Sequence, residues 1–254
     1  MKKSILLLVI IFSFFSCSKN EETANGTPAP PAITNKVVTA GNYNFKYKVF
    51  YQEIQNATNR KGLIILAVGD GGNENDGTLN EQCAALAQEG YVAVTTTYRS
   101  LDTGLTWDQQ GAQFKQDMLF VASNTQIEYT GINQSNTILG GLSRGGNMTM
   151  ALLLPNQFAG TTPFTGIKGA LLQCAGGDTW KGSAILFPVA YMSNKVDNVM
   201  GVANANDFKT GLASNPNPNI SSQSECLIYD SSGHCADISG NKAFIIKKVK
   251  EWLP

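Results

Sequence analysis

The sequence is short of charge, of histidine and of long apolar runs. Its 254 residues carry 15% charged side chains, one His, and 19 Lys+Arg against 19 Asp+Glu. A balanced charge leaves no basic footprint for nucleic acid. One histidine beside Cys235 supplies no metal-ligand set, so no metal is expected. The glycines of Val68-Gly69-Asp70-Gly71-Gly72 are not followed by the Lys-Ser/Thr of a phosphate-cradling loop, and no cofactor motif is found elsewhere. No apolar stretch reaches the ~20 residues that a membrane-spanning helix needs. Glycine is plentiful, 25 in all, but without the triplet repeat of collagen. What remains is 43% apolar, enough for a sizeable core, in a length that suits one large domain or two small ones. Asn, Ser, Thr and Gly dominate the polar positions, a surface tolerated outside a cell.

The first residues carry an export pattern. Lys2 and Lys3 precede Ile5 to Phe15, apolar apart from Ser13, and the run stops at Ser16-Cys17. Positive start, short apolar run and small residue read as a secretory signal. The stretch resembles a bacterial lipoprotein signal, which implies that 1–16 is removed and Cys17 is lipidated. The protein is then exported, membrane-anchored through Cys17, and faces the periplasm or cell surface. Ser18 to Asn35 follows with three Pro and almost no large apolar residue, too polar to order itself. As a flexible tether it spans roughly 20–25 Å. Its start, Ser18 to Glu22, resembles the charged export tags of some surface lipoproteins.

From Lys36 onward one domain is expected, 36–254. Lys36 to Gln52 alternates around Gly41-Asn42 and suits an antiparallel hairpin. Short continuous apolar runs follow at Leu63–Val68, Tyr91–Thr97, Thr137–Leu139, Ile167–Gln173, Phe187–Met192 and Cys226–Tyr229. Such runs suit parallel strands buried on both faces. Helical stretches lie between them, at Asn80–Gln88, Gln110–Thr125, Met148–Leu154, Asn204–Leu212 and Asn241–Leu253. The alternation predicts an α/β fold: a doubly wound, mostly parallel sheet opening with an antiparallel hairpin.

The most informative segment is Thr137 to Gly146. Gly141-x-Ser143-x-Gly145 matches a nucleophile elbow, where a tight strand-to-helix turn lifts a serine above the sheet. An apolar strand enters the motif and a helical stretch leaves it, as the motif requires. A serine nucleophile needs a base, and a histidine base can only be His234. His234 lies between the last strand and the last helix, its place in the order Ser, acid, His. The acid is expected after the preceding strand, at Asp197, with Asp178, Asp230 and Asp237 as rivals. An oxyanion hole requires two aimed N–H donors. The backbone of Arg144 is one candidate; Asp70 and Gly71, in the glycine-rich loop after the third strand, offer the other. A carboxylate at Asp70 would oppose a forming oxyanion unless it points away.

Together these residues resemble the α/β-hydrolase family, over nearly all of Lys36 to Pro254. Glu89-Gly90-Tyr91-Val92-Ala93-Val94 leading to Tyr98-Arg99 is similar to the fourth strand of family esterases. Val68 departs from the family, many of whose members place His before the glycines. The resemblance implies a serine carboxylesterase acting through Ser143, His234 and Asp197 and an acyl-enzyme, without cofactor. Its substrate would be a small or polymer-borne ester, including acyl groups on carbohydrates. A peptidase of the same fold shares those residues, and a non-catalytic surface-binding lipoprotein with a decayed hydrolase fold is the alternative from another class. Only Ala175 to Leu186 separates the sixth and seventh strands, too short for a sizeable cap domain. Trp107 and Trp180 are expected in loops after strands, where they could stack on a sugar or aryl group. Cys83, Cys174, Cys226 and Cys235 allow three full pairings or buried thiols.

Overall fold

The computed structural model describes residues 31–53, 60–101, 104–129, 131–158, 164–201 and 204–254. The expected signal, Cys17 and most of the tether lie outside them. Eight strands form one sheet in the order β1-β2-β4-β3-β5-β6-β7-β8. β1 (Ile33–Thr39) and β2 (Lys46–Gln52) make the antiparallel hairpin, and β2 runs antiparallel to β4 (Val92–Thr96). β3 (Leu63–Ala67), β4, β5 (Thr137–Leu142), β6 (Ile167–Gln173), β7 (Val189–Val196) and β8 (Glu225–Ser232) are parallel neighbours. β1 begins three residues ahead of the expected boundary, because Ile33 pairs with Gln52 and Asn35 with Phe50.

The continuous apolar runs are explained by burial on both faces. Every residue of β3 and β4 is buried. One face is covered by α2 (Trp107–Glu128), α3 (Arg144–Leu152) and α5 (Asn204–Ala213), through Phe114, Met118, Met148 and Phe208. The other is covered by α1 (Gly77–Gln88) and α7 (Lys242–Trp252), through Leu79, Leu86, Ile245 and Val249. Each such side chain contributes about 1.5–3 kcal/mol by leaving water. Asp76 caps α1 by accepting from the Leu79 N–H at 2.9 Å, and Thr106 with Gln109 forms a capping box at α2.

Two short helices escaped the sequence reading. α4 (Thr179–Ala184) lies between β6 and β7, and α6 (Pro218–Gln223) precedes β8. At six residues each they are too short for an apolar period to emerge. The two tryptophans are accordingly not in loops: Trp107 opens α2 and Trp180 sits in the first turn of α4. The β6–β7 connection holds no cap domain. Among the described residues no helix is long and apolar enough to cross a membrane.

Candidate active site

Strand β5 ends at Leu142 and α3 starts at Arg144, leaving Ser143 alone at the turn. Its backbone has φ 52° and ψ −117°, a conformation that costs a non-glycine residue on the order of 1–3 kcal/mol. The surroundings enforce it. A Cβ at Gly141 would lie 2.6 Å from the Gly145 carbonyl carbon, and one at Gly145 would lie 2.4 Å from the Ala67 and Val68 carbonyl oxygens. Only hydrogen at both positions lets α3 start against β3. The Ser143 N–H donates to the Gln173 carbonyl at 2.8 Å, which ties the turn to the end of β6.

His234 and Asp197 reach Ser143 from the neighbouring strand ends. His234 Nε2 lies 2.7 Å from Ser143 Oγ, and its Nδ1 lies 2.8 Å from Asp197 Oδ2. Asp197 directly follows β7 and is 1% exposed. Its Oδ1 also accepts the Val199 and Met200 N–H groups, each at 2.9 Å. The carboxylate is thus oriented by the backbone before it meets the imidazole. Because the Nδ1 side faces a carboxylate acceptor, the ring carries its proton there and presents Nε2 as an acceptor to the serine hydroxyl.

The three rival aspartates are engaged elsewhere. Asp178 caps α4 by accepting from the Lys181 N–H at 2.8 Å. Asp230 pairs with Lys195 at 2.9 Å on the surface. Asp237 accepts from Ser231 Oγ and, at 3.1 Å, from Asn194 Nδ2.

Arg144, Asp70 and Gly71 also come together. Arg144 is the first residue of α3 and directly follows Ser143. Gly69 brings the facing loop close: a Cβ there would lie 3.4 Å from Ser143 Cβ. Asp70 turns its carboxylate to the Arg144 guanidinium at 3.2 Å, so its charge is opposed by a cation. That pairing was not foreseeable from the motif.

Two hollows flank the Ser143 turn and share Arg144. One, of about 300 Å³, is lined by the Val68–Gly72 loop, Tyr98 and Leu101. The other, of about 200 Å³, is more apolar and runs along α3 past Met148, Ala151 and Leu154, with Trp107 and Lys181 on its walls. Trp107 is 46% exposed and rests against Phe158 at 5.0 Å between ring centroids.

Sequence reasoning missed Asn194, 1% exposed near the end of β7. Its Nδ2 donates to Ser231 Oγ at 2.6 Å as well as to Asp237, so it gathers both sides of the histidine loop. A polar residue closing an apolar run was the only available signal. The pairing of Cys174 with Cys235, left open among three, is the one the structure contains, and Cys83 and Cys226 are thiols. Cys174, Cys235 and His234 cluster within 4.8 Å, but the two sulfurs are bonded to each other and offer no thiolate ligands.

No protein-family model and no curated protein sequence matches the chain. Solved structures do. Esterase 2 of Thermogutta terrifontis, in a form phosphorylated by paraoxon, is 17% identical with a TM-score of 0.63, over 89% of this chain and 95% of that one. A propionate-bound form of the same esterase is 15% identical, with a TM-score of 0.63, over 89% and 95%. A Klebsiella pneumoniae chain assigned as a dienelactone hydrolase is 17% identical with a TM-score of 0.62, over 87% and 98%. With the strand order and the helices on both faces, these likenesses establish that the chain has the α/β-hydrolase fold.

Proposed function

We propose that the chain is a serine hydrolase that cleaves carboxylic esters. The observation that carries this reading is the hydrogen-bonded row Asp197–His234–Ser143, with heavy-atom separations of 2.8 and 2.7 Å. Ser143 Oγ attacks the ester carbonyl while His234 Nε2 takes its proton. The alcohol leaves with that proton, and water then releases the acid from Ser143 by the same route. Asp197 keeps the ring in the useful tautomer and stabilises the imidazolium. The Arg144 N–H and an N–H of Asp70 or Gly71 receive the oxyanion, a donation worth about 3–4 kcal/mol per donor in the transition state. The absence of a cap domain between β6 and β7 leaves the cleft open to polymer-borne as well as small esters. Relatives in fold that are called esterases favour ester over peptide cleavage.

The test is Ser143→Ala. It should abolish both ester hydrolysis and covalent labelling by a fluorophosphonate probe while the melting temperature stays close to wild type. Labelling that persists at another serine would remove the assignment. A panel of short-chain p-nitrophenyl esters, acetylated sugars, feruloyl esters and aminoacyl amides then separates esterase from peptidase. Silence across the whole panel, with no labelling, would favour a binding protein.

The reading includes export and anchoring through lipidated Cys17, supported by the Lys2-Lys3 start, the short apolar run and Ser16-Cys17. Wild type should partition into detergent and Cys17→Ser into the soluble exported fraction. Equal partitioning ends the lipoprotein reading.

A further inference from the structure

The Cys174–Cys235 bridge touches the proposed machinery at both ends. Cys174 directly follows Gln173, whose carbonyl accepts the Ser143 N–H at 2.8 Å. Cys235 directly follows His234. The bridge therefore joins the strand end that holds the nucleophile to the loop that carries the base, across a sequence separation of 61 residues and a Cα–Cα distance of 5.5 Å. Both cysteines have left-handed backbones, φ 49° and 58°, so each lies at a sharp turn of the chain.

The two anchorages are unequal. Cys174 is 0% exposed, and its N–H donates to the Met192 carbonyl at 2.8 Å. The segment beyond it is fixed by Tyr191 Oη and Asn204 Nδ2, which both donate to the Ala175 carbonyl. The loop on the far side is solvent-facing, with Ser232, Ala236 and Asp237 exposed. It is joined to β7 by the Gly233 N–H to the Val196 carbonyl at 2.9 Å and by the Asn194 bonds to Ser231 and Asp237. These bonds fix the loop where it leaves β8 and beyond His234. Next to the imidazole, the covalent tie is Cys235.

We propose, resting on the serine-hydrolase reading, that the Cys174–Cys235 bridge is a positioning element that holds the His234 imidazole within reach of Ser143 Oγ. A misplacement of about 1 Å at such a centre costs about 10²-fold in rate. Cys83 and Cys226 do not compete for the bridge: burial pushes both thiols up to about 12, so they stay protonated and do not attack it.

The experiment compares oxidised protein, protein reduced with a dithiol, and Cys174→Ala/Cys235→Ala. In reduction the S–S bond takes up two electrons and two protons to give two thiols, and the dithiol closes to its own disulfide. Because His234 is the only histidine, the imidazole Nδ1 proton signal in NMR belongs to it without assignment. On reduction and in the double variant, kcat on a short-chain ester should fall about 10²-fold with KM little changed. The Nδ1 proton signal should be lost to exchange, and reoxidation of the reduced wild type should restore both. An unchanged kcat and an unchanged imidazole signal, with only a lower melting temperature, would make the bridge a plain staple and overturn the proposal. So would four reactive thiols in the unfolded, unreduced 36–254 region. Failure of the serine-hydrolase reading is distinguishable, because then the oxidised wild type itself neither hydrolyses esters nor takes the fluorophosphonate label.

Discussion

The Ser143 turn and the histidine loop deliver side chains to the same point by different means. Ser143 is fixed by backbone packing: two glycines let α3 press onto β3, and the turn between strand and helix has no room to vary. His234 stands on a partly exposed loop whose geometry depends on side chains far away in sequence, Asp197, Asn194 and Cys174. The first arrangement has its motif within ten consecutive residues and packs them against backbone of β3 and the end of β6. The second is assembled only when β6, β7 and β8 lie side by side. Damage to the glycine packing of the first should therefore appear as lost stability, and damage to the polar contacts of the second as lost activity in a folded protein.

The sharpest way to break this contrast is Asp197→Asn. The amide oxygen can still accept from the Val199 and Met200 N–H groups, so melting should hardly move. The imidazole tautomer is lost, and kcat should fall about 10⁴-fold. A large fall in melting temperature instead would mean that the acid is structural. Next in size is Gly145→Ala, whose new methyl meets two carbonyl oxygens that belong to backbone. We expect a loss of about 3 kcal/mol in urea unfolding, if the variant folds at all. Neutrality there would show that the turn is less constrained than its contacts imply.

Smaller effects sharpen the comparison. Asp178→Asn retains a capping side chain at α4, and Asp230→Asn removes only an exposed pair with Lys195. Each should leave the melting temperature close to wild type and kcat within a few-fold. If either is the near-dead variant and Asp197→Asn is active, the acid lies on another loop. The last test is made with pH and concerns the unbridged thiols. Folding raises Cys83 and Cys226 from an ordinary value of 9.0 to about 12. Below pH 9 neither state loses the proton and no stability is forfeited. Above it the unfolded chain ionises first, so urea midpoints should decline as pH rises from about 9 toward 12. A flat profile through that window would contradict the burial of Cys83 and the partial burial of Cys226.

The same contrast explains what could be read in advance. The strands announced themselves because burial on both faces demands unbroken apolar runs, and Ser143 because its glycines must be adjacent in sequence. His234 was expected beside Ser143 because it is alone, and Asp197 by chain order, and the three side chains do lie in one hydrogen-bonded row. The Asn194 bonds, the Asp70–Arg144 pair and the choice of Cys235 for Cys174 were not legible. Each joins residues 37 or more positions apart, and no local pattern encodes such a meeting. The short helices α4 and α6 were hidden for a different reason, having too few turns to show a period.

The two margins of the sheet have a consequence of their own. A terminal strand offers unpaired backbone groups as a template on which another molecule's strand can grow. Both margins here carry charge. Lys36 on β1 reaches Glu128 at 2.6 Å, while β8 bears Glu225, engaged by Lys247 at 2.8 Å, and Asp230, engaged by Lys195. A second copy adding its strand to either margin would have to strip water from these pairs. That cost opposes growth of the sheet at either margin, so it ends where the chain ends it.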